Sequence, residues 1–197
     1  MTEVQVNMLA TVHQHLKEHQ AVIALLEAEL QAQIVIAAKV LSTALGAGGT
    51  VYWCGNGGSA SDSQHLAAEL VGRFRNNRRP LASVALSSDS SVLTCVANDF
   101  GYEQIFSRQV EAIGRAGDVL VAISTSGKSM NVIEAVKAAN RVHLATIGLL
   151  GGNGGLVKDL VQTSLVVPSV STARIQECHI LIGHILCDLI ENNLGIA

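Results

Sequence analysis

Charged and aromatic residues are scarce in this chain of 197 residues, in which 15% are charged, 3% are aromatic and 49% are hydrophobic. A composition this apolar is typical of an α/β protein that buries much of its surface, and it predicts oligomerisation. The length suits one domain with a sizeable core. The formal net charge of −3 argues against a dedicated nucleic-acid binder.

Three kinds of signal are also missing from the chain. The four cysteines form no C-x-x-C pattern, which argues against disulfides and against a thiolate zinc site. No apolar run approaches the length of about 18 residues that a membrane-spanning helix needs. The start, MTEVQVNML, lacks the basic and apolar regions of a signal peptide. These absences predict a cytoplasmic protein that does not contact a membrane.

Residues 1–48 are predicted to form a helical oligomerisation segment ahead of an α/β domain over residues 49–197. Residues 1–45 contain neither glycine nor proline, and apolar side chains such as Leu9, Val12 and Leu16 recur every three or four positions. Gly46 is placed to end the helix. Because this apolar seam precedes the first predicted strand, we expect it to pack across a subunit interface.

A glycine-rich turn joins a strand to a helix in the stretch GNGGSASDSQHLAAEL, residues 55–70, which follows a strand pattern at residues 50–54. This arrangement presents backbone N–H groups to an anion, and Ser59 is predicted as the helix N-cap. His65 and Glu69, four residues apart, share one helix face and suit metal binding or proton transfer. A dinucleotide-binding G-x-G-x-x-A turn and a solvated i,i+4 pair are the open alternatives.

A second unit repeats this arrangement. The buried-strand pattern DVLVAI, residues 118–123, leads into a loop of hydroxyl side chains and one glycine, residues 124–129, and then into a helix. Hydroxyl groups at a helix N-terminus suit a phosphate. The loop ends in Gly-Lys-Ser as a Walker A loop does, but Ala122 stands where that loop needs its first glycine, so we discount an NTPase.

Strands and helices alternate along the rest of the chain. Strand patterns at residues 81–86, 143–149 and 164–167 are separated by helical segments, and a long helix is predicted over residues 172–194. This alternation predicts a three-layer αβα sandwich around a central parallel sheet, with ligands bound beyond the carboxyl ends of the strands. Both polar loops should therefore meet at that edge.

Two further segments are predicted to be polar surface. Residues 98–102 are predicted as a polar turn before the next helix. The arginine-rich stretch RFRNNRRP, residues 73–80, is predicted as a solvated loop at a helix C-terminus, where cations are favoured, in preference to a phosphate or nucleic-acid site.

Four long motifs together resemble one known family, the phosphoheptose isomerases: GNGGSASDSQHLAAEL, SSDSSVLTCVANDFGYEQIFSRQV, GDVLVAISTSGKSMNVIEA and ARIQECHILIGHILCDLIE. These are sugar isomerase (SIS) domain proteins with an N-terminal helical extension, and the resemblance covers nearly the whole chain. It implies an enzyme that converts sedoheptulose 7-phosphate to D-glycero-D-manno-heptose 7-phosphate through an enediol, the first step towards ADP- or GDP-heptose for lipopolysaccharide or related glycans. It also implies a homotetramer with active sites between subunits and one Zn²⁺ per subunit.

The resemblance further implies which residues form the site. Glu69 is the expected base and His184 the expected acid. The expected metal ligands are His65, Glu69, Gln176 and His184. The expected substrate-binding residues are Asn56, Gly57, Gly58, Ser59, Glu69, Asn98, Asp99, Ser124, Thr125, Ser126, Ser129 and Gln176. One departure from the family is Ala173, which stands where some members have an aspartate.

Helix geometry makes it difficult for Gln176 and His184 to bind the same ion. Gln176 and His184 are eight residues apart, hence separated by about 12 Å along a helix axis and rotated by about 80°. Both reach one ion only if it lies midway between them, or if one comes from a neighbouring subunit. Gln176 with His179 is the pair that helix geometry alone prefers; otherwise His179 is predicted as a satisfied core or interface histidine.

The competing function is that of a non-enzymatic SIS protein that binds the bacterial replication initiator and regulates chromosome replication. The long helix at residues 172–194 resembles those proteins too. A binding protein of that kind can dispense with catalytic groups, whereas this sequence retains both Glu69 and His184. The enzyme is therefore favoured.

Overall fold

A computed structural model describes residues 2–196, in which strands and helices alternate after two N-terminal helices. The helices are α1 Glu3–Glu29, α2 Gln31–Gly46, α3 Gly58–Val71, α4 Ser90–Phe100, α5 Ser107–Ile113, α6 Met130–Arg141 and α7 Thr172–Asn193. The strands are β1 Val51–Cys54, β2 Ser83–Ala85, β3 Val119–Ser124, β4 Ala145–Gly151 and β5 Thr163–Val167. Short 3-10 turns occur at Tyr102–Gln104 and Val157–Asp159.

The five strands form one parallel sheet in the order β2-β1-β3-β4-β5. Strand β1 lies between β2 and β3, with Cys54 opposite Ala122. The last two residues of β3 have no partner on β1, so β3 extends past it at the carboxyl edge. The loops that follow β1 and β3 therefore leave the same edge of the sheet side by side.

Two apolar layers cover the sheet, as the alternation of side chains along each strand requires. Trp53 and Val121 point into a layer formed with α2, α3 and α7. Tyr52 and Leu120 point into the opposite layer, formed with α4, α5 and α6. The predicted three-layer αβα sandwich with a central parallel sheet is thus confirmed, and the N-terminal helical extension is present.

The N-terminal helices divide between core and surface. Helix α1 begins with a capping box, in which the Thr2 hydroxyl accepts from the Gln5 N–H and the Gln5 side chain accepts from the Thr2 N–H. The first half of the seam, including Leu9, Val12 and Leu16, is exposed, whereas α2 contributes to the core. The division at residue 48 stays a prediction.

No single helix among residues 2–196 has the length and apolar composition needed to cross a membrane. The stretches Val4–Glu29 and Gln31–Gly46 pass that test only as a pair, and the pair is bent by 71°.

The segment at residues 98–102 differs from the prediction. Asp89 caps α4 by accepting from the N–H groups of Ser91 and Val92, and the helix then continues to Phe100. It ends only at Gly101, whose φ of 94° favours glycine. Asn98 and Asp99 therefore lie in the last turn of α4 and not in a polar turn.

Candidate active site

The two polar loops meet at the carboxyl edge of the sheet. The Asn56 and Asn131 side-chain amides bond to each other reciprocally, with N···O distances of 2.9 and 2.7 Å. The Tyr102 hydroxyl donates to Asn56 Oδ1 at 3.0 Å. Asn131 and Tyr102 were not among the predicted site residues. The available signal for Asn131 was an amide residue at the start of a predicted helix, directly after the polar loop; in the structure it is buried, and buried amides need partners.

The glycine turn after β1 closes earlier than predicted. Gly57 has φ 55° and is the N-cap of α3, which begins at Gly58. The N–H of Ser59 donates to Asn56 O at 3.0 Å, so Ser59 lies within the first turn and is not the N-cap. The prediction of Ser59 as a cap was wrong because a glycine with positive φ turns the chain two residues before it. Ser59 itself is buried beside the loop.

The loop after β3 is held by its own hydroxyl groups. Ser124 Oγ accepts from the Gly127 N–H at 3.1 Å and lies 3.4 Å from Ser129 Oγ. Thr125 and Ser126 face a cavity of about 250 Å³ at the same edge, together with Lys128. Hydroxyl groups beside an ammonium group and the N-terminus of α6 make this cavity suitable for an anion such as a phosphate.

His65, Glu69 and His184 converge where α3 crosses α7. His65 Nε2 lies 2.9 Å from His184 Nε2 and 3.3 Å from Glu69 Oε1. The helices approach closely because Gly183 has no side chain: a Cβ there would lie 2.5 Å from Leu66. The Phe74 ring stacks on the His184 imidazole, with centroids 5.4 Å apart and an interplanar angle of 22°.

These three side chains fit a zinc ion. Their ligand atoms lie within 4.8 Å of one another. Ligand atoms around a tetrahedral zinc are about 3.3 Å apart, given metal–ligand distances of about 2.0–2.2 Å. Two imidazoles and a carboxylate are a ligand set that catalytic zinc sites use, and they leave a fourth position for a water, a substrate or a further side chain. The His65 side chain is 48% exposed, so the site is accessible from solvent.

Gln176 lies two turns away from this cluster, at the start of α7. Its Nε2 donates to Asp62 Oδ1 at 3.3 Å. The amide lies against Gly58, and a Cβ at residue 58 would lie 2.5 Å from Gln176 Nε2, so a side chain there would displace the amide. Burial raises the pKa of Asp62, although the Gln176 hydrogen bond and the nearby His65 act in the opposite direction. Whether Gln176 completes the ligand set stays a prediction.

His179 lies in the core and not at the cluster. It is fully buried, and its Nε2 lies 3.0 Å from Leu150 O. Burial lowers the pKa of His179 to about 4, although the hydrogen bond to Leu150 acts in the opposite direction. Its Nδ1 has no partner among the described residues. This position fits the predicted core histidine and does not favour the alternative pair of Gln176 with His179.

Asn98 and Asp99 are exposed at the end of α4. The Asn98 amide donates to Asp99 Oδ1 at 2.7 Å, and the Cys95 thiol lies 3.7 Å from Asp99 Oδ2. Among the hydrogen bonds of residues 2–196, neither side chain reaches the polar loops. Their role in binding substrate stays a prediction.

The arginine-rich stretch is not wholly solvated, because Arg78 is buried. Arg78 Nε lies 2.7 Å from Glu191 Oε1, and both side chains are 1% exposed. Burial disfavours the charged form of Glu191, but Arg78 and the backbone N–H groups of Phe74, Asn76 and Arg75 outweigh it, so the pKa of Glu191 is lowered. The prediction of a solvated loop was wrong for Arg78 because its partner lies 113 residues further along the chain.

Comparison with protein families gives a match to the SIS domain over residues 14–151. The phosphoheptose isomerase of Nitratiruptor sp. is 50% identical over 186 residues, which cover 94% of this chain and all of that protein.

Two solved structures share both fold and sequence with this chain. The phosphoheptose isomerase of Neisseria gonorrhoeae superposes with a TM-score of 0.90 at 45% identity, covering 94% of this chain and 99% of that one. The phosphoheptose isomerase of Francisella tularensis superposes with a TM-score of 0.91 at 36% identity, covering 98% of this chain and all of that one.

Proposed function

The chain belongs to the SIS domain family and, within it, to the phosphoheptose isomerases; from this premise we propose that it converts sedoheptulose 7-phosphate to D-glycero-D-manno-heptose 7-phosphate. The observation that carries the proposal is the convergence of His65, Glu69 and His184. A sugar-phosphate isomerase needs a base and an acid within reach of adjacent carbons, and this cluster supplies both. The comparisons favour the enzyme over the replication regulator.

The reaction moves a proton between the two carbons of an enediol. In our proposal the carboxylate of Glu69 removes the proton from one carbon and returns it to the other, because it is the anionic base of the cluster. His184 donates a proton to the carbonyl oxygen as the enediol forms, through the ring nitrogen that does not bind zinc. The Phe74 ring on His184 restricts the plane of the imidazole and shields one of its faces from water.

The polar loops would orient the substrate. The hydroxyl groups of Ser124, Thr125, Ser126 and Ser129 would hold the phosphate, and the turn at Asn56–Gly58 would contact the sugar next to it. The cavity of about 250 Å³ that Thr125 and Ser126 line supports this placement. Holding the phosphate fixes the far end of the sugar, so the reacting carbons are presented in one orientation.

We propose that one Zn²⁺ per subunit is held by His65, Glu69 and His184, with Gln176 as a fourth ligand. When bound, zinc would act as a Lewis acid that stabilises negative charge on the substrate oxygens. The distances of 2.9 and 3.3 Å between ligand atoms support the first three assignments. For Gln176, the Asp62 carboxylate accepts from the amide nitrogen, which leaves the amide oxygen available as a ligand.

We further propose a homotetramer with active sites between subunits. The exposed apolar side chains along the first half of α1, such as Leu9, Val12 and Leu16, support an interface there. The reaction would take place in the cytoplasm, where its product would feed the synthesis of ADP- or GDP-heptose for lipopolysaccharide or a related glycan. The molar mass by light scattering tests the assembly: a mass of one or two chains would contradict it.

Turnover of sedoheptulose 7-phosphate tests the activity. We expect Glu69→Gln and His184→Gln each to lower kcat by about 10²–10⁴-fold, the usual contribution of general acid–base catalysis. Glu134→Gln and His143→Asn are matched controls away from the site and should keep wild-type turnover. A chelator should remove activity and zinc should restore it. Folded wild-type protein that leaves the substrate unchanged with zinc present would overturn the proposal.

A further inference from the structure

Arg78, in the otherwise exposed loop between α3 and β2, forms a buried ion pair with Glu191 near the end of α7. Arg78 and Glu191 bond at 2.7 Å with side chains 1% exposed, whereas the neighbouring Arg75 and Asn76 are exposed. Replacing a buried ion pair by apolar residues of similar size is often neutral or stabilising. Stability alone is therefore a weak reason for this pair, and its surroundings indicate a geometric role.

The Glu191 carboxylate organises the backbone of the loop. It accepts from the N–H groups of Phe74, Arg75 and Asn76 at 3.1, 3.4 and 3.3 Å. Three consecutive N–H groups directed at one carboxylate fix the path of the chain through these residues. The position of the Phe74 side chain follows from that path.

The Arg78 guanidinium fixes the end of α3 on its other side. Its Nη2 donates to Glu69 O and its Nη1 to Leu70 O, both at 2.8 Å. These carbonyls belong to the last turn of the helix, where backbone acceptors lack intrahelical partners. The planar group thus joins the last turn of α3, which carries Glu69, to the end of α7. A lysine could not make these bonds together, because its ammonium group is a single point.

Arg78 and Glu191 are each linked to the active-site cluster. Glu191 follows His184 by seven residues on α7, which is two turns along nearly the same helix face. Phe74, placed by Glu191, stacks on His184 at 5.4 Å. Arg78 bonds to the carbonyl of Glu69, whose carboxylate lies 3.3 Å from His65. The ion pair therefore joins the two helices of the cluster: Arg78 bonds to α3, which carries Glu69, and Glu191 belongs to α7, which carries His184.

We propose that Arg78 and Glu191 are positioning residues, which pre-organise the imidazole of His184 and the carboxylate of Glu69 for metal and substrate. This inference rests on the proposed function of the cluster. Neither residue touches the reacting atoms; both act through Phe74 and through the last turn of α3. Loss of partners that orient metal ligands usually weakens metal affinity by about 10–100-fold.

The test replaces the pair with apolar side chains in Arg78→Met/Glu191→Leu, which leaves no unpaired buried charge. Arg141→Met/Glu111→Gln removes an exposed 2.6 Å ion pair on the opposite helical layer and controls for the loss of an ion pair as such. Phe74→Leu removes the aromatic ring from His184 directly. Arg78→Lys keeps the positive charge but loses the planar guanidinium that bonds to both carbonyls of α3. It tests the positioning role if the double variant does not fold.

Three readouts are measured on folded protein. The first is the ¹H–¹³Cε1 resonance of His184 in histidine-labelled protein without metal, assigned with His184→Gln; it reports the ring current of Phe74. The second is the zinc Kd from competition with a chromophoric chelator. The third is kcat and KM for sedoheptulose 7-phosphate.

In Arg78→Met/Glu191→Leu, the pair variant, we expect the His184 resonance to move towards its position in Phe74→Leu. We also expect the zinc Kd to rise about 10–100-fold and kcat to fall by a larger factor than KM changes. The control should match wild type in all three. A folded pair variant with an unshifted His184 resonance, and with zinc Kd and kcat within twofold of wild type, would overturn the inference. If wild type neither binds zinc nor turns over substrate, the proposed function fails, while the metal-free resonance still decides the positioning role.

Discussion

Acidification should destabilise this protein through one buried histidine. His179 is fully buried, and its neutral ring satisfies Leu150 O with one nitrogen while the other has no partner among the described residues. A proton added to that ring would place an uncompensated charge in the core. The perturbation is therefore a fall in pH, compared between wild type and His179→Gln, whose amide can still donate to Leu150 O but does not titrate.

The magnitude follows from the two pKa values of His179. Burial lowers the pKa from its ordinary value of 6.5 to about 4 in the folded state. Between these values the unfolded chain binds the proton and the folded chain does not, so the free energy of unfolding falls as the pH falls. Each pH unit is worth about 1.4 kcal/mol, and the whole interval about 3 kcal/mol. Above pH 6.5 the contribution of His179 does not change with pH.

The assay is urea unfolding at a series of pH values from 8 to 4, at one protein concentration. Other titrating groups are common to both proteins, so the difference between the two free energies of unfolding isolates His179. We expect that difference to be constant above pH 7 and to shift by about 3 kcal/mol towards the variant by pH 4. A difference that stays flat across the whole range would refute the reasoning.

Three other predictions concern single residues. His143→Gly should raise the free energy of unfolding by about 0.5–1 kcal/mol in thermal or urea unfolding, because His143 has φ 62° directly after α6. Only Cys95 is exposed, so one thiol per chain should react with a disulfide reagent before unfolding and four after it. Gly58→Ala should displace the Gln176 amide and weaken zinc binding by about 10-fold, as measured by chelator competition, since a Cβ would lie 2.5 Å from Gln176 Nε2.

Periodicity in the sequence was sufficient to predict most of the fold. The last helix was predicted over residues 172–194 and runs over Thr172–Asn193, and the strand predicted at residues 50–54 is Val51–Cys54. Both elements are apolar where they are buried in the core, so burial and local propensity favour the same structure. Strand β2 is shorter than predicted, with three residues at the edge of the sheet, where only one neighbour supplies hydrogen bonds.

The errors arose where the residue types of a segment do not reveal the interaction or backbone conformation that decides its structure. RFRNNRRP looks like a solvated loop because four arginines occur within seven residues, and nothing nearby in the sequence indicates that Arg78 pairs with Glu191. Likewise, Ser59 is a good N-cap by residue type, but the positive φ of Gly57 starts the helix earlier. Tyr102 was missed because its hydroxyl reaches Asn56 only through the change of chain direction at Gly101, where α4 ends.

The choice between His179 and His184 shows what would have been needed to predict the site. Spacing along α7 favours Gln176 with His179, but spacing within one helix does not say which turn meets α3. That is decided by Gly183, where Leu66 packs so closely that a Cβ would lie 2.5 Å from it. A glycine inside a helix costs about 1 kcal/mol relative to alanine, so a helical glycine indicates a place where another element approaches closely. Since Leu66 faces Gly183, the residue before Leu66 on α3 lies beside the residue after Gly183 on α7: His65 lies beside His184, at 2.9 Å.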